Sequence, residues 1–235
     1  MNTPIRAVLF DAGNTLISLD YERLAGGVSA AVGREVSAAL LRSRAPEAAA
    51  ALELGTGSDR ERAVSYLEAL FLLSGVRHEE LEAVRVEVTR LHHERHLWIG
   101  VEPGTVEALE QLRAAGLRLG VVSNSDGKVD AALAAAGLRP YFELVVDSSH
   151  AGVEKPDPRI FAVAVETMGI APAEAAYVGD VYEVDVVGAR RAGLSPVLLD
   201  PHGLHATVDV PIIQSLADLP GLIAAGVPGR AFTQS

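Results

Sequence analysis

The apolar run Ile5 to Phe10 stops at Asp11, and the next run that reads as a strand is Leu117 to Val122. A short apolar stretch followed by turn formers, here Gly13, Asn14 and Thr15, predicts a buried strand entering a tight loop. Between the two runs, from about Asp20 to His96, the chain consists of Ala, Leu, Glu and Arg segments without strand alternation, interrupted at Arg44 to Pro46, Gly55 to Ser58 and Gly75. That texture predicts about four helices, one of them opening on a capping box of Ser58 and Glu61. Beyond Gly100 the pattern alternates. Helices are expected at Pro103 to Ala115, Lys128 to Ala136, Pro158 to Met168, Val184 to Ala192 and Leu216 to Ala224, with strands at Leu117 to Val122, Leu144 to Val146, Ala175 to Val178 and Pro196 to Leu199. Strands separated by helices of 10 to 15 residues imply right-handed crossovers and a parallel sheet covered on both faces. The expected fold is therefore α/β, split after its first strand by an all-helical insertion.

In an open parallel sheet, ligands bind beyond the carboxyl ends of the strands. The residues there are Asp11 after the first strand, Ser123 and Asn124 after the second, and Asp180 after the fourth, with Lys155 in the connection after the third. Lys155 is conspicuous because the chain has only two lysines, Lys128 and Lys155, among its 20 basic residues. An Asp, a hydroxyl with an amide, a Lys and the pair Asp180 and Asp185 suit phosphoryl transfer. A carboxylate can attack phosphorus to form an acyl phosphate that water then hydrolyses. Carboxylate and carbonyl oxygens can hold the Mg2+ that neutralises the phosphoryl charge, while an ammonium and hydroxyl or amide groups engage the remaining oxygens.

Four segments, VLFDAGNTL, VVSNS, GVEKPDPRIF and YVGDVYEVDVVGARRAG, occur in the order and spacing of a known family. Over Arg6 to Asp200 the chain resembles the haloacid dehalogenase-like hydrolases, in the subfamily with a helical cap inserted after the first motif. The resemblance implies a Rossmann-like parallel sheet core with the first strand central, formed by residues 1–17 and 98–235, and an inserted α-helical cap domain at 18–97 that closes over the site. It implies Asp11 as nucleophile and metal ligand, Ser123 and Asn124 as phosphate contacts, Lys155 as the charge clamp and Asp180 as a metal ligand. Asp185, the second acid of GDxxxxD, would orient the metal site or its waters. Thr15 is expected to order the loop beside the phosphate. The implied cofactor is Mg2+ and the implied substrate a small phosphorylated metabolite.

One position departs from the pattern. Phosphatases of this family usually carry a second Asp two residues after the nucleophile, which protonates the leaving group and later activates water; here that residue is Gly13. Its backbone carbonyl, the family's metal ligand at this position, is kept. A general acid/base contributes about 10^2 to 10^4 in rate, so its loss implies a slow phosphatase, one suited to good leaving groups, or another reaction. Asp20, Asp126 and Glu154 are the conceivable substitutes, against the simpler reading that each is a solvated loop charge. Two rivals follow: a weakened family member that binds a phosphorylated ligand or a protein partner, and a dehalogenase using Asp11 on carbon. Dehalogenases of the family carry Tyr at the position of Gly13 and Ser-Asn in place of Gly179 and Asp180, so the acidic GDxxxxD favours metal-dependent chemistry. The phosphonate-cleaving relatives need a cap lysine, and none lies between Asp11 and Lys128.

The remaining signals are weaker. His92 and His96 share a helix face at i, i+4, with His93 beside them, but two visible ligands favour a partly buried helix face over a zinc site. Trp98 is expected to pack the return from cap to core. With 31 acidic against 20 basic residues, the net charge of -11 disfavours nucleic acid and anionic membranes. No apolar run approaches the roughly 20 residues that span a bilayer, and no cysteine is present for disulfides. A cytoplasmic protein is the default expectation; the oligomeric state stays open, and the tail from Pro228 to Ser235 reads as frayed.

Overall fold

The computed structural model describes residues 3–53, 59–205 and 207–227. The chain divides into two compact units, Met1–Ile17 with Val101–Ser235, and Ser18–Gly100. The first unit is an α/β layer structure whose elements are β1 (Ala7–Phe10), then, after the insertion, α5 (Thr105–Ala114), β4 (Arg118–Ser123), α6 (Val129–Ala135), β5 (Leu144–Asp147), α7 (Ser148–Ala151), α8 (Pro158–Thr167), β6 (Ala175–Gly179), α9 (Val187–Arg191), β7 (Ser195–Leu199), β8 (Ile212–Ile213) and α10 (Leu219–Ala225). The insertion contributes α1 (Tyr21–Val32), α2 (Ala38–Glu53), α3 (Asp59–Leu73) and α4 (Leu81–Glu94), between the short strands β2 (Ser18–Leu19) and β3 (Trp98–Gly100).

The six core strands are parallel and run in the order β5-β4-β1-β6-β7-β8, so the first strand lies inside the sheet between β4 and β6. All four residues of β1 are buried, which explains why it reads as a continuous apolar run rather than an alternating one. The register pairs Leu9 with Gly120 and with Tyr177. Since alternate residues share a face, Leu9, Val122 and Tyr177 line one side of the sheet, where they cluster with Ile160 and Phe161 of α8 and Ala189 of α9. Strand β8 goes unpredicted because two residues are too few to show a period.

In the second unit, Leu24 and Val28 of α1, Leu41 and Ala48 of α2, Leu70 of α3 and Val84 and Leu91 of α4 share one buried cluster. The break expected at Arg44 to Pro46 is absent. α2 continues through Pro46, because burial of Leu41, Ala45 and Ala48 offsets the backbone bond that proline cannot make. The preceding break lies instead at Gly33, whose φ of 70° closes α1 in the left-handed region. The capping box expected at Ser58 and the tail beyond Val227 fall outside the described residues. β2 and β3 pair as an antiparallel ribbon, which carries this unit's end to Gly100 rather than 97. The His92 and His96 rings are 4.5 Å apart, and His96 Nδ1 lies 3.2 Å from the Trp98 N–H. Among the described residues no group of three or more His, Asp or Glu side chains is gathered to hold a metal, and no helix is long and apolar enough to cross a membrane.

Candidate active site

Asp11 follows β1 directly, and its N–H donates to the Val178 carbonyl at 2.8 Å, extending the ladder one residue beyond the strand. The chain then turns tightly. Leu16 and Ile17 both donate to the Ala12 carbonyl at 2.9 Å, and Asn14 donates to Ile17 at 2.7 Å. Asn14 sits at φ 54°, a left-handed conformation that Asn tolerates better than most side chains. Gly13 is not among the glycines of positive φ. Among the described residues nothing donates to its carbonyl, which leaves that oxygen available.

The ammonium of Lys155 is the centre of the site and is almost wholly buried. Its three N–H groups meet three acceptors: Asp11 Oδ1 at 2.5 Å, Asp185 Oδ1 at 2.8 Å and the Tyr177 hydroxyl at 3.1 Å. Burial alone would push Lys155 down, but Asp11 and Asp185 outweigh it and hold the ammonium well above its ordinary range. Burial pushes the Asp11 carboxyl up to about 6; Lys155 opposes the rise and Asp185 adds to it. Asp180, just past β6, is pushed well above the carboxylate range by burial, then by the charges of Asp11 and Asp185. Two carboxylates, Asp11 and Asp185, thus share a single buried ammonium, and the half-buried Asp180 lies close enough for both their charges to act on it.

Two expected contacts turn out to serve Lys155 and its surroundings. Asn124, read as a phosphate contact, uses its side chain on the Lys155 backbone: Oδ1 accepts from the Lys155 N–H at 2.8 Å and Nδ2 donates to the Lys155 carbonyl at 3.0 Å. Asp185, read as part of the metal site, has both oxygens engaged by the protein. Oδ1 receives Lys155, with the Tyr177 hydroxyl 3.1 Å away, and Oδ2 accepts the Val181 N–H at 3.0 Å. Asp185 lies in a single π-helical turn, Tyr182–Val186, that folds it back against Gly179. Any β-carbon at Gly179 would overlap the Asp185 side chain, so only glycine fits between β6 and that turn.

Ser123, at the end of β4, is buried and pairs with Asp147 in the sheet, and among the described residues its hydroxyl makes no hydrogen bond. Buried Thr15 reaches Asp180 Oδ1 at 3.4 Å, a long contact. The conceivable proton donors are engaged elsewhere or exposed. Asp20 caps α1 at the Arg23 N–H and pairs with Arg95 at 3.0 Å, Asp126 pairs with Lys128 at 2.9 Å, and Glu154 is exposed. Tyr177 is the residue sequence reasoning passed over. Its signal was a phenol in the otherwise aliphatic strand AAYVG, where a buried hydroxyl must find partners.

The donor set suits Mg2+, which is commonly held by one or two carboxylates with waters and substrate phosphate completing its shell. Asp11 and Asp180 supply hard oxygens, the Gly13 carbonyl lies unpaired nearby in sequence, and the excess negative charge would be neutralised by a dication. A surface groove lined by Leu112, Leu117 and Ile223 lies at the other, amino-terminal side of the strands and carries no ionisable group.

A family model described as "haloacid dehalogenase-like hydrolase" matches residues 5–193. A glyceraldehyde 3-phosphate phosphatase from Methanopyrus kandleri is 37% identical over 119 residues, 50% of this chain and 51% of that protein. The chain spans about half the length of the curated relatives it matches. Among solved structures, a HAD phosphatase from Thermococcus onnurineus has a TM-score of 0.60 at 27% identity, covering 93% of this chain and 98% of the other. A 2-haloacid dehalogenase from Pseudomonas syringae has a TM-score of 0.58 at 25% identity, covering 94% and 99%.

Proposed function

Because the chain belongs to the haloacid dehalogenase-like hydrolases, we propose that it is a Mg2+-dependent phosphatase of a small phosphorylated metabolite, working through an aspartyl-phosphate on Asp11. The observation that carries this reading is the buried Asp11 and Asp185 carboxylates on the Lys155 ammonium with the half-buried Asp180 beside them, a surplus of acids that suits a dication and a phosphoryl group. The relatives named as phosphatases and the GDxxxxD acids support it over carbon–halogen hydrolysis.

Asp11, Asp180 and the Gly13 carbonyl would hold the metal. When bound, Mg2+ supplies charge neutralisation at the phosphoryl oxygens. Lys155 fixes the orientation of the Asp11 carboxylate through Oδ1, and Asn124 and Asp185 hold Lys155 at its backbone and its ammonium. Ser123, whose hydroxyl makes no hydrogen bond among the described residues, would donate to a phosphoryl oxygen. Asp11 attacks phosphorus, forming a P–O bond as the bond to the leaving oxygen breaks. Water then hydrolyses the aspartyl-phosphate, releasing inorganic phosphate and restoring Asp11. At position 13 no side chain supplies a proton to the leaving group or takes one from that water, so esters of acidic alcohols are the favoured substrates. Hydrolysis of a panel of phosphate esters, from p-nitrophenyl phosphate to sugar phosphates, tests the proposal: turnover lost with EDTA supports it. EDTA-insensitive halide release from a haloacid would instead establish dehalogenation.

Two further outcomes are expected. Gly13→Asp requires no left-handed backbone, and it should raise kcat on alkyl phosphates by about tenfold or more while changing p-nitrophenyl phosphate little. Equal effects on both leaving groups would show that the added carboxylate is not acting as an acid. Asp180→Asn should stabilise the metal-free protein at pH 7.5 and abolish the rise in Tm that Mg2+ gives the wild type. A carboxyl raised in the folded state contributes stability at low pH that is lost as pH rises. The variant's advantage, about 2–4 °C for each kcal/mol gained, should therefore shrink as pH falls toward the ordinary carboxylate range. Calorimetry with and without Mg2+ reads both effects; an unchanged Mg2+ response would remove Asp180 from the metal site.

A further inference from the structure

Tyr177 is fully buried in β6, and its hydroxyl lies where three groups of the site meet. It accepts from Lys155 Nζ at 3.1 Å and donates to the Val122 carbonyl at 2.9 Å, with Asp185 Oδ1 a second acceptor 3.1 Å away. Strand register explains the position. Tyr177 pairs with Leu9, two residues before Asp11, and so shares the sheet face of Asp11 one step below it. The carbonyl it engages belongs to the residue immediately before Ser123. Burial, then the Asp185 charge, pushes the phenol well above its ordinary range, so it stays protonated.

An ammonium with two carboxylate acceptors can still swing about the line joining them. The third contact removes that freedom. We propose that Tyr177 is a positioning residue for Lys155: its hydroxyl ties the ammonium to the backbone of β4 and fixes the direction from which Lys155 holds the Asp11 carboxylate. The ring also packs edge-on against Phe161, with ring centroids 4.9 Å apart, while the hydroxyl is held by its own three partners. The effect on turnover rests on the phosphatase reading above, whereas the hold on Lys155 does not.

The two-lysine composition makes the hold directly observable. In metal-free protein labelled with 15N at its lysine side chains, Lys155 should give a slowly exchanging ammonium resonance that persists in Lys128→Arg. Tyr177→Phe, which removes only the hydroxyl, should shift that resonance and speed its exchange with water by about tenfold or more. Phe161→Leu, which removes the edge-on ring contact but keeps the hydroxyl and its three partners, should leave exchange within about twofold. With Mg2+ and p-nitrophenyl phosphate, Tyr177→Phe should lower kcat about tenfold at unchanged KM, and Phe161→Leu should not. The proposal is overturned by the absence of a slow ammonium signal in the wild type, by an unchanged signal in Tyr177→Phe, by an unchanged kcat beside a changed signal, or by equal losses in both variants. Absence of turnover in the wild type would refute the phosphatase reading, and the ammonium measurement would then decide the Tyr177 contact by itself.

Discussion

Replacing Lys155 with methionine is expected to reduce turnover by on the order of 10^3 or more and to destabilise the metal-free protein at neutral pH. The side chain is 2% exposed and meets Asp11 and Asp185 at 2.5 and 2.8 Å. Methionine matches its length but leaves both carboxylates buried without their cation. Removing one partner of a buried ion pair typically costs about 3–5 kcal/mol, because the remaining charge is uncompensated. The loss should be largest where Asp11 is ionised, above about pH 6, and should shrink as acid protonates it. The chain supplies its own control. Lys128 pairs with Asp126 at 2.9 Å with 48% of its side chain exposed, and Lys128→Met should change stability by no more than about 0.5 kcal/mol. Denaturant titrations of both variants at pH 7.5 and pH 5 read the difference. Equal stability of Lys155→Met and wild type at pH 7.5 would contradict the buried charge cluster.

Asp11→Asn separates activity from stability. The amide keeps the shape of the carboxylate but cannot form the acyl phosphate, and turnover should fall by on the order of 10^4 or more. Stability should move the other way. Burial holds Asp11 up to about 6 despite Lys155, so ionised Asp11 is a net burden on the metal-free fold at pH 7.5, and a neutral amide relieves it. Lys155 retains Asp185 and Tyr177 as acceptors. The variant is expected to melt at or above the wild-type temperature while showing no turnover above background. Such opposition is common where a site is built for chemistry rather than for the fold. A marked drop in Tm at pH 7.5 would show that the carboxylate is structural.

The sheet was legible because parallel strands buried on both faces leave continuous apolar runs, and the residues just past them, Asp11, Ser123, Asn124 and Asp180, stand at the carboxyl ends. What each side chain binds was less legible. Asn124 engages the backbone of a residue 31 positions away, and no local pattern encodes that choice. Asp185 turns toward Lys155 and Tyr177 because a π-helical turn, made possible by Gly179, bends it back. Tyr177 joins the site through strand register with β1, which appears only once the sheet order is known. Pro46 misled because tertiary burial overrode a local breaker, and β8 is too short to show a period.

The central claim is a covalent phosphoryl group on Asp11. With no side chain at Gly13 to activate water, breakdown of the aspartyl-phosphate should be slow enough for it to accumulate. Enzyme mixed with Mg2+ and a radiolabelled phosphate ester that it turns over, quenched in acid and digested, should carry label on the peptide containing Asp11. That label should be released by hydroxylamine and be absent in Asp11→Asn. Turnover without label on that peptide at any quench time, or label on a different residue, would contradict the account.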